Sequence, residues 1–490
     1  MKQPHVILLI GDCLRAADAH PDGMPFSLDW SDTVFERCYA PSTWTLPSHA
    51  SLYAQRTPID HGVTRRGDVL AAEQARLPNT AREAGYETAL FSENPTFSTH
   101  TGFNHGIDYV DDFINGKLFR STFALEHEID ELSGASALSA LRSLLGAPEK
   151  TRDIPNALYA PLSYARTRSK TRYPHNGNRV LSHLRSFLEE RAPNPTLSFV
   201  NLLDTHNPHN APPSEGERAL GVSISRAERK ALWELRDNKL YLFDEDGSPP
   251  TDAQDVFHDW DGVFSRKKDV YDVQIRYLDL QIESFVRELA GGIIDDALVV
   301  ITGDHGQLFG EEEMVGHHTS LHPGGVQVPL FVRFPSSWDT ENASVSEPVS
   351  WIGLSRALGE VTTGAVDSTE AFVERVRTES QEDGAVVVTA DGPTWSVPRL
   401  REQYDSPVLD ELSTRKVGLI EGTRQVVYES KWADTDTVGR EYELVGHDRE
   451  AVGGANGLEP HPEHGRWLSD GSGDGVDTTV SSRLEQLGYI

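Results

Sequence analysis

Three short apolar runs, each closing on an aspartate, constrain this 490-residue chain more than any other feature. His5 to Ile10 ends at Gly11-Asp12, Thr196 to Leu203 ends at Asp204, and Ala297 to Thr302 ends at Gly303-Asp304. A continuous apolar run of this length is the pattern of a strand covered on both faces. Glu87 to Ser92 and Val328 to Phe334, the latter entered through Pro329, read as two more strands. Helical spacing occurs in Leu77 to Ala84, which closes at Gly85, and in Tyr271 to Leu289, which closes at Gly291-Gly292. Strands alternating with helices predict an α/β fold with a mostly parallel central sheet flanked by helices. Such sheets bind ligands beyond the carboxyl ends of their strands. The aspartates therefore stand where a site is expected.

Two regions interrupt the pattern. Residues near 115–175 are helical and polar, and residues near 214–268 are charged; both read as insertions that shape a substrate entrance. Beyond about residue 365 the texture changes. Ala385 to Ala390, Lys416 to Glu421, Gln425 to Ser430 and Glu441 to Leu444 are short strands between turns. The expected organisation is a large α/β domain over 1–365 and a small C-terminal α+β subdomain and tail, built on an antiparallel sheet, over 366–490. Residues 450–475 read as a loop and Val480 to Leu487 as a short final helix. No internal repeat is present.

Charge narrows the function. Lys and Arg total 45 against 76 Asp and Glu, a formal charge of −31. A nucleic-acid partner is not expected, because a phosphate backbone needs a basic footprint. The acidic residues are dispersed and lysine is scarce, which suits a halophilic cytosol where salt screens self-repulsion. The two cysteines, Cys13 and Cys38, make no disulfide framework. Neither a signal peptide nor a membrane span is legible, so a cytoplasmic enzyme is the expectation. The oligomeric state is not written in the sequence.

Five polar clusters carry chemistry. In Gly11-Asp12-Cys13-Leu14-Arg15 a carboxylate directly after a buried strand is a rigid metal ligand, or an ordinary helix cap. Thr43-Trp44-Thr45-Leu46-Pro47-Ser48-His49 suggests an exposed hydroxyl at a helix N-terminus, where backbone N–H groups favour an anion or an alkoxide. Gly303-Asp304-His305-Gly306-Gln307 offers one oxygen and one nitrogen ligand between flexible glycines. Asp204-Thr205-His206-Asn207-Pro208-His209 and Gly316-His317-His318 add imidazoles. Each alone has a plain structural explanation: a cap, a turn, a surface histidine.

Taken in order, these clusters resemble the sulfatase-like family of the alkaline phosphatase superfamily. The resemblance extends through Thr45-Leu46-Pro47-Ser48-His49-Ala50-Ser51-Leu52, His61-Gly62-Val63, Phe91-Ser92-Glu93-Asn94, Val328-Pro329-Leu330 and the closing Leu484 to Ile490. It implies one divalent metal held by Asp12, Asp304 and His305, with Thr45 bound to it as an alkoxide nucleophile. It implies a covalent Thr45 intermediate that water cleaves. His206 and His317 would contact the ester oxygens, act as acid or base, or complete a second metal site. Arg15, His49, Asn94, Asp204, His209 and His318 fall on the substrate side.

Two positions depart from the family pattern. Formylglycine sulfatases carry Cys or Ser where Thr45 stands, followed by an arginine where His49 stands, and threonine cannot become that aldehyde. They also carry an aspartate beside the first and an asparagine after the third, where this chain has Cys13 and His305. An imidazole ligand shifts preference from Ca or Mg toward Mn or Zn. Both departures favour phosphate over sulfate esters of a small molecule, glycan or lipid. A phosphoethanolamine-type transferase, or a non-catalytic binding module on the same fold, are the alternatives.

Overall fold

A computed structural model of the chain describes residues 3–19, 21–112, 175–209, 215–234, 260–317, 319–340, 343–392, 413–431, 437–454 and 462–469. The insertion expected near 115–175 and the final helix expected at Val480 to Leu487 lie outside these residues, apart from position 175.

The central sheet contains β1 (His5–Gly11), β2 (Thr33–Tyr39), β3 (Glu87–Ser92), β4 (Tyr109–Asp112), β5 (Thr196–Leu202) and β6 (Ala297–Gly303). Two short strands, β7 (Leu308–Phe309) and β8 (Val315–Gly316), pair with each other outside it, and β9 (Gln327–Arg333), β10 (Ala343–Val345) and β11 (Val349–Ser350) complete it. The strand order is β10-β2-β9-β6-β1-β5-β3-β4, with β11 beside β2. Every pairing is parallel except those of β9, which runs antiparallel to both β6 and β2. The mostly parallel α/β sheet is thus observed, with β1 at its centre.

Side chains alternate across β1, and both faces are buried. Val6, Leu8 and Ile10 enter one core layer with Leu46 and Leu52 of α1 (Thr45–Ala54), Leu77 and Ala81 of α2 (Arg76–Glu83), and Leu354 and Leu358 of a later helix, Trp351–Thr363. Ile7 and Leu9 enter the other, with Leu184 and Leu188 of α3 (Gly177–Arg191) and Ile275, Leu278 and Ile282 of α4 (Trp260–Leu289). Burying each such side chain stabilises the fold by roughly 2 kcal/mol. Phe372 and Val376, on the helix Thr369–Thr378, join the first layer.

A second sheet, β12 (Val386–Asp391), β13 (Thr414–Glu421), β14 (Arg424–Lys431), β15 (Thr437–Val445) and β16 (Asp448–Gly454), is antiparallel throughout. The stretch 450–475 was expected to be a loop, yet it contains the end of β16 and the helix Pro462–Ser469. β16 is almost wholly exposed. An edge strand held by backbone pairing needs no apolar alternation, so its sequence is silent. The strand β2 was also hidden, because Glu36 and Arg37 interrupt its apolar pattern.

The second sheet is tied to the first by packing and charge. Tyr39, Leu321 and Val326 pack against Val386, Val388 and Ile420. At the end of β12, Asp391 Oδ2 accepts from Thr64 Oγ1 (2.8 Å) and Arg65 Nε (3.0 Å), while Oδ1 accepts from Arg415 Nε (3.1 Å). Asp391 is 5 % exposed, so its removal takes the carboxylate from the buried Arg415, which keeps the Trp467 carbonyl, and from the partly exposed Arg65. We expect Asp391→Ala to cost about 3–5 kcal/mol. Urea unfolding checks this; a loss within the spread of surface substitutions would refute it.

Candidate active site

β1 and β6 pair in register with Gly11 opposite Gly303, so Asp12 and Asp304 leave the sheet side by side at its carboxyl edge. A Cβ on Gly303 would lie 2.3 Å from the Leu14 carbonyl, so only glycine lets the turn after β1 cross β6 this closely. The Cys13 backbone N–H donates to Asp304 Oδ1 (3.1 Å). Asp12 Oδ2 accepts from Asn94 Nδ2 (2.6 Å) and Asn201 Nδ2 (3.3 Å). His305 Nδ1 donates to the Gly306 carbonyl (2.9 Å), which leaves the Nε2 lone pair facing inward. That nitrogen is 3.8 Å from Asp12 Oδ1 and 3.5 Å from Asp304 Oδ2.

Thr45 completes the group. It opens α1, and its Oγ1 lies 3.4 Å from both Asp12 Oδ2 and His305 Nε2, while Asn94 Nδ2 donates to it (3.2 Å). The cap residue of the helix is Trp44, with no side-chain cap bond. The Thr45 hydroxyl therefore serves the cluster rather than the helix end. It was expected to be exposed, and instead Thr45 is 4 % exposed, because all of α1 is buried against the sheet.

The residues fit a divalent cation. Ligand bonds of about 2.1 Å set neighbouring ligand atoms roughly 3.4 Å apart, near the separations found here. Asp304 Oδ2 is buried and receives no hydrogen bond. Burial, reinforced by the charge of Asp12, raises the Asp304 pKa well above the carboxylate range. Burial also works to raise Asp12, but His206, His305 and the two asparagines outweigh it and hold the carboxyl low. Two adjacent buried carboxylates are costly unless a cation lies between them.

The remaining candidates divide by location. His206 Nε2 is 4.0 Å from Asp12 Oδ1, and the His317 ring is 4.5 Å from that of His305, so both border the cluster. Asn94 touches Asp12 and Thr45 directly. His49 lies behind it, wholly buried against Phe97, with Nδ1 bonded to the Thr45 carbonyl (2.9 Å) and 3.7 Å from Asp304 Oδ2. Arg15 is engaged by Asp18 (3.0 Å), Glu311 (2.8 Å) and the Gln307 carbonyl (3.0 Å). Asp204 sits inside a 3₁₀ turn, Leu203–Thr205, and accepts from Gln281 on α4 (2.8 Å). His209 Nδ1 bonds Gln274 on the same helix (2.9 Å). His318 lies outside the described residues.

Four neighbours of the cluster were given no role from the sequence: Asn201, Thr205, Gln307 and the Cys13 side chain. Thr205 Oγ1 donates to the Asp12 carbonyl (2.6 Å), and Gln307 Oε1 meets His317 Nδ1 (3.1 Å). Cys13 Sγ lies 3.5 Å from Asp12 Oδ1. Its position next to Asp12 was the available signal.

The buried imidazoles predict acid sensitivity. Burial lowers His49 and His305 to about 4 and His61 and His209 to about 3. The unfolded histidines protonate near pH 6.5, so below that the unfolded chain binds more protons and stability falls with pH until the folded values are reached. Glu93 and Asp304, raised by burial, act in the opposite direction and are outnumbered. We expect stability to fall by roughly 1.4 kcal/mol per pH unit for each net proton as pH drops from 6.5 to 5. A melting temperature that stays flat across that window would contradict the assignment.

The mostly parallel α/β sheet sets carboxylates, an imidazole and a hydroxyl at its carboxyl edge, and the family profile that matches the chain is one of ester hydrolases of the alkaline phosphatase superfamily. The chain belongs to the sulfatase family, whose sequence profile, described as "Sulfatase", matches residues 4–364. Solved structures similar to it include phosphonate monoester hydrolases from Agrobacterium radiobacter (19 % identity, TM-score 0.59, covering 99 % of this chain and 94 % of that one) and Silicibacter pomeroyi (16 %, 0.57, 99 % and 95 %). A 2-O GAG sulfatase is also similar (13 % identity, TM-score 0.55, covering 100 % and 94 %). The chain matches no curated protein by sequence. Among the described residues, no helix is long and apolar enough to cross a membrane.

Proposed function

We propose that the chain hydrolyses phosphoric esters, with sulfuric esters as second choice, through a Thr45 nucleophile. The observation that carries this is Thr45 Oγ1, 3.4 Å from Asp12 and from His305, at the positive end of a buried helix. Asp12, Asp304 and His305 would hold a divalent cation, Mn or Zn in preference to Ca or Mg, because an imidazole joins the carboxylates. When bound, that ion supplies positive charge that favours the ionised hydroxyl and screens the ester oxygens.

The chain's own residues supply the rest. Thr45 Oγ bonds to phosphorus as its proton passes to solvent, and the ester oxygen departs with its electron pair. His206 or His317, at the rim, returns a proton to that oxygen. Water then attacks phosphorus, cleaves the bond to Thr45 and restores the hydroxyl. Asn94 donates to Thr45 Oγ1 and orients it. All of these groups fall within residues 1–365.

A panel of nitrophenyl phosphate, phosphodiester, phosphonate and sulfate substrates tests the reading. It is run with Mn, Zn, Ca and Mg in concentrated salt, which a charge of −31 calls for. Phosphorus esters should turn over fastest with Mn or Zn. A preference for sulfate with Ca would overturn it.

A further inference from the structure

His317 stands on a segment that the second sheet grips from outside. The stretch Glu312 to Ser320 is closed on itself, because Ser320 Oγ donates to Glu312 Oε2 (2.5 Å). Within it Gly316 of β8 pairs with Leu308 of β7, so His317 follows directly on a paired residue. Glu312 has φ 53°, a left-handed conformation rare outside glycine. In that conformation its carboxylate meets Arg449 on β16, whose Nε donates to Oε1 (3.0 Å) and whose Nη2 donates to the same oxygen.

Arg449 is itself fixed. Its guanidinium lies over the Tyr442 ring, 4.1 Å from the centroid, and Nη1 donates to Gln425 Oε1 (2.9 Å). Gln425, wholly buried on β14, donates from Nε2 to the Leu321 carbonyl (3.0 Å). One residue further, His322 Nδ1 accepts from the Gly324 N–H (3.0 Å), which leaves Nε2 to donate to Asp448 Oδ1 (2.8 Å). The Arg449 side chain is 6 % exposed and that of Glu312 is 31 % exposed. An ion pair open to water on one side contributes little to stability. A stacked, planar guanidinium with every nitrogen engaged does fix geometry.

We propose that Arg449 is a positioning residue for His317: through Glu312 and Ser320 it sets the imidazole where the departing ester oxygen takes up its proton. This rests on the chemistry proposed above and, of the two rim imidazoles, gives that proton to His317. It also makes the C-terminal sheet part of the working site. Nitrophenolate departs as a stable anion and needs no proton, whereas an alkoxide does.

Turnover of the nitrophenyl and ethyl esters of the phosphorus acid that the substrate panel favours tests the idea. Arg449→Ala should lower kcat on the ethyl ester by roughly a hundredfold and on the nitrophenyl ester by less than about threefold. Arg449→Lys keeps the charge without the fork and should recover part of the loss. In a His317→Ala background, Arg449→Ala should add nothing. Arg424→Ala, which breaks an ion pair with Glu441 elsewhere in the same sheet, should leave both esters unchanged. Equal losses on the two esters, or a loss that adds to that of His317→Ala, overturn the proposal. If Arg449→Ala does not fold, Glu312→Gln decides in its place, because it keeps a partner for Ser320 and loses the charge. Carbon-13 NMR of labelled histidines reads the placement without turnover. The His317 ring signal, identified by its absence in His317→Ala, should shift or broaden in Arg449→Ala, and an unchanged signal overturns the proposal. That signal does not depend on Thr45, so a failed nucleophile assignment and a failed positioning role are told apart.

Discussion

Thr45→Ala is expected to lower turnover by at least roughly a thousandfold, the range found when an activated nucleophile is removed. The fold should survive, because the Thr45 hydroxyl bonds no helix N–H and α1 is held by the burial of all its residues. Metal content should also survive, since Asp12, Asp304 and His305 remain in place. Thr45→Ser keeps the hydroxyl and loses only a methyl group, so part of the activity should return. Thr45→Cys supplies a soft thiolate and should be a weak phosphatase. A hydroxyl that only capped the helix would behave differently: its loss would cost about 1 kcal/mol and leave turnover intact. Near-normal hydrolysis by Thr45→Ala, measured beside its circular dichroism and metal content, would reject the nucleophile.

Asp304→Asn should weaken metal binding strongly without destabilising the metal-free protein. Burial and the charge of Asp12 raise the Asp304 pKa, so the metal-free chain loses stability as pH rises through that value. A bound cation removes this penalty. Chelation should therefore lower the melting temperature of the native chain at neutral pH, and readdition of metal should restore it. In Asp304→Asn the second buried charge is gone. Metal affinity should fall by roughly a hundredfold or more, yet the metal-free variant should melt no lower than the metal-free native chain. Calorimetry with and without chelator reads both effects. A metal-free variant clearly less stable than its native counterpart would show that Asp304 is structural rather than held ready for a cation.

Much of the architecture is written locally. The runs His5 to Ile10 and Ala297 to Thr302 are long enough and apolar enough to be buried on both faces, and they became β1 and β6. The small antiparallel sheet was legible from short strands between turns, although its exposed edge β16 was not. The residues of the cluster were likewise visible, because polar groups at the ends of buried strands stand out from their surroundings. Thr45 could be placed at a helix start, but its depth could not, since that depends on what α1 packs against.

Which of those groups meet is another matter. Asp12, Asp204 and Asp304 look alike in sequence, each just beyond an apolar run. β1 lies between β5 and β6, so both later aspartates leave strands adjacent to Asp12. Register brings Asp304 to the cluster. At the other strand the turn Leu203–Thr205 directs Asp204 to Gln281 on α4, and Thr205 meets Asp12 instead. Cys13 joins two histidines from distant segments only through its left-handed backbone and the path of those loops. The sequence by itself therefore determined which segments are strands and which residues have chemistry to offer, because periodicity and side-chain type are local properties. The tertiary structure alone decided the partners, because strand order, register and the direction of a single turn depend on contacts hundreds of residues apart.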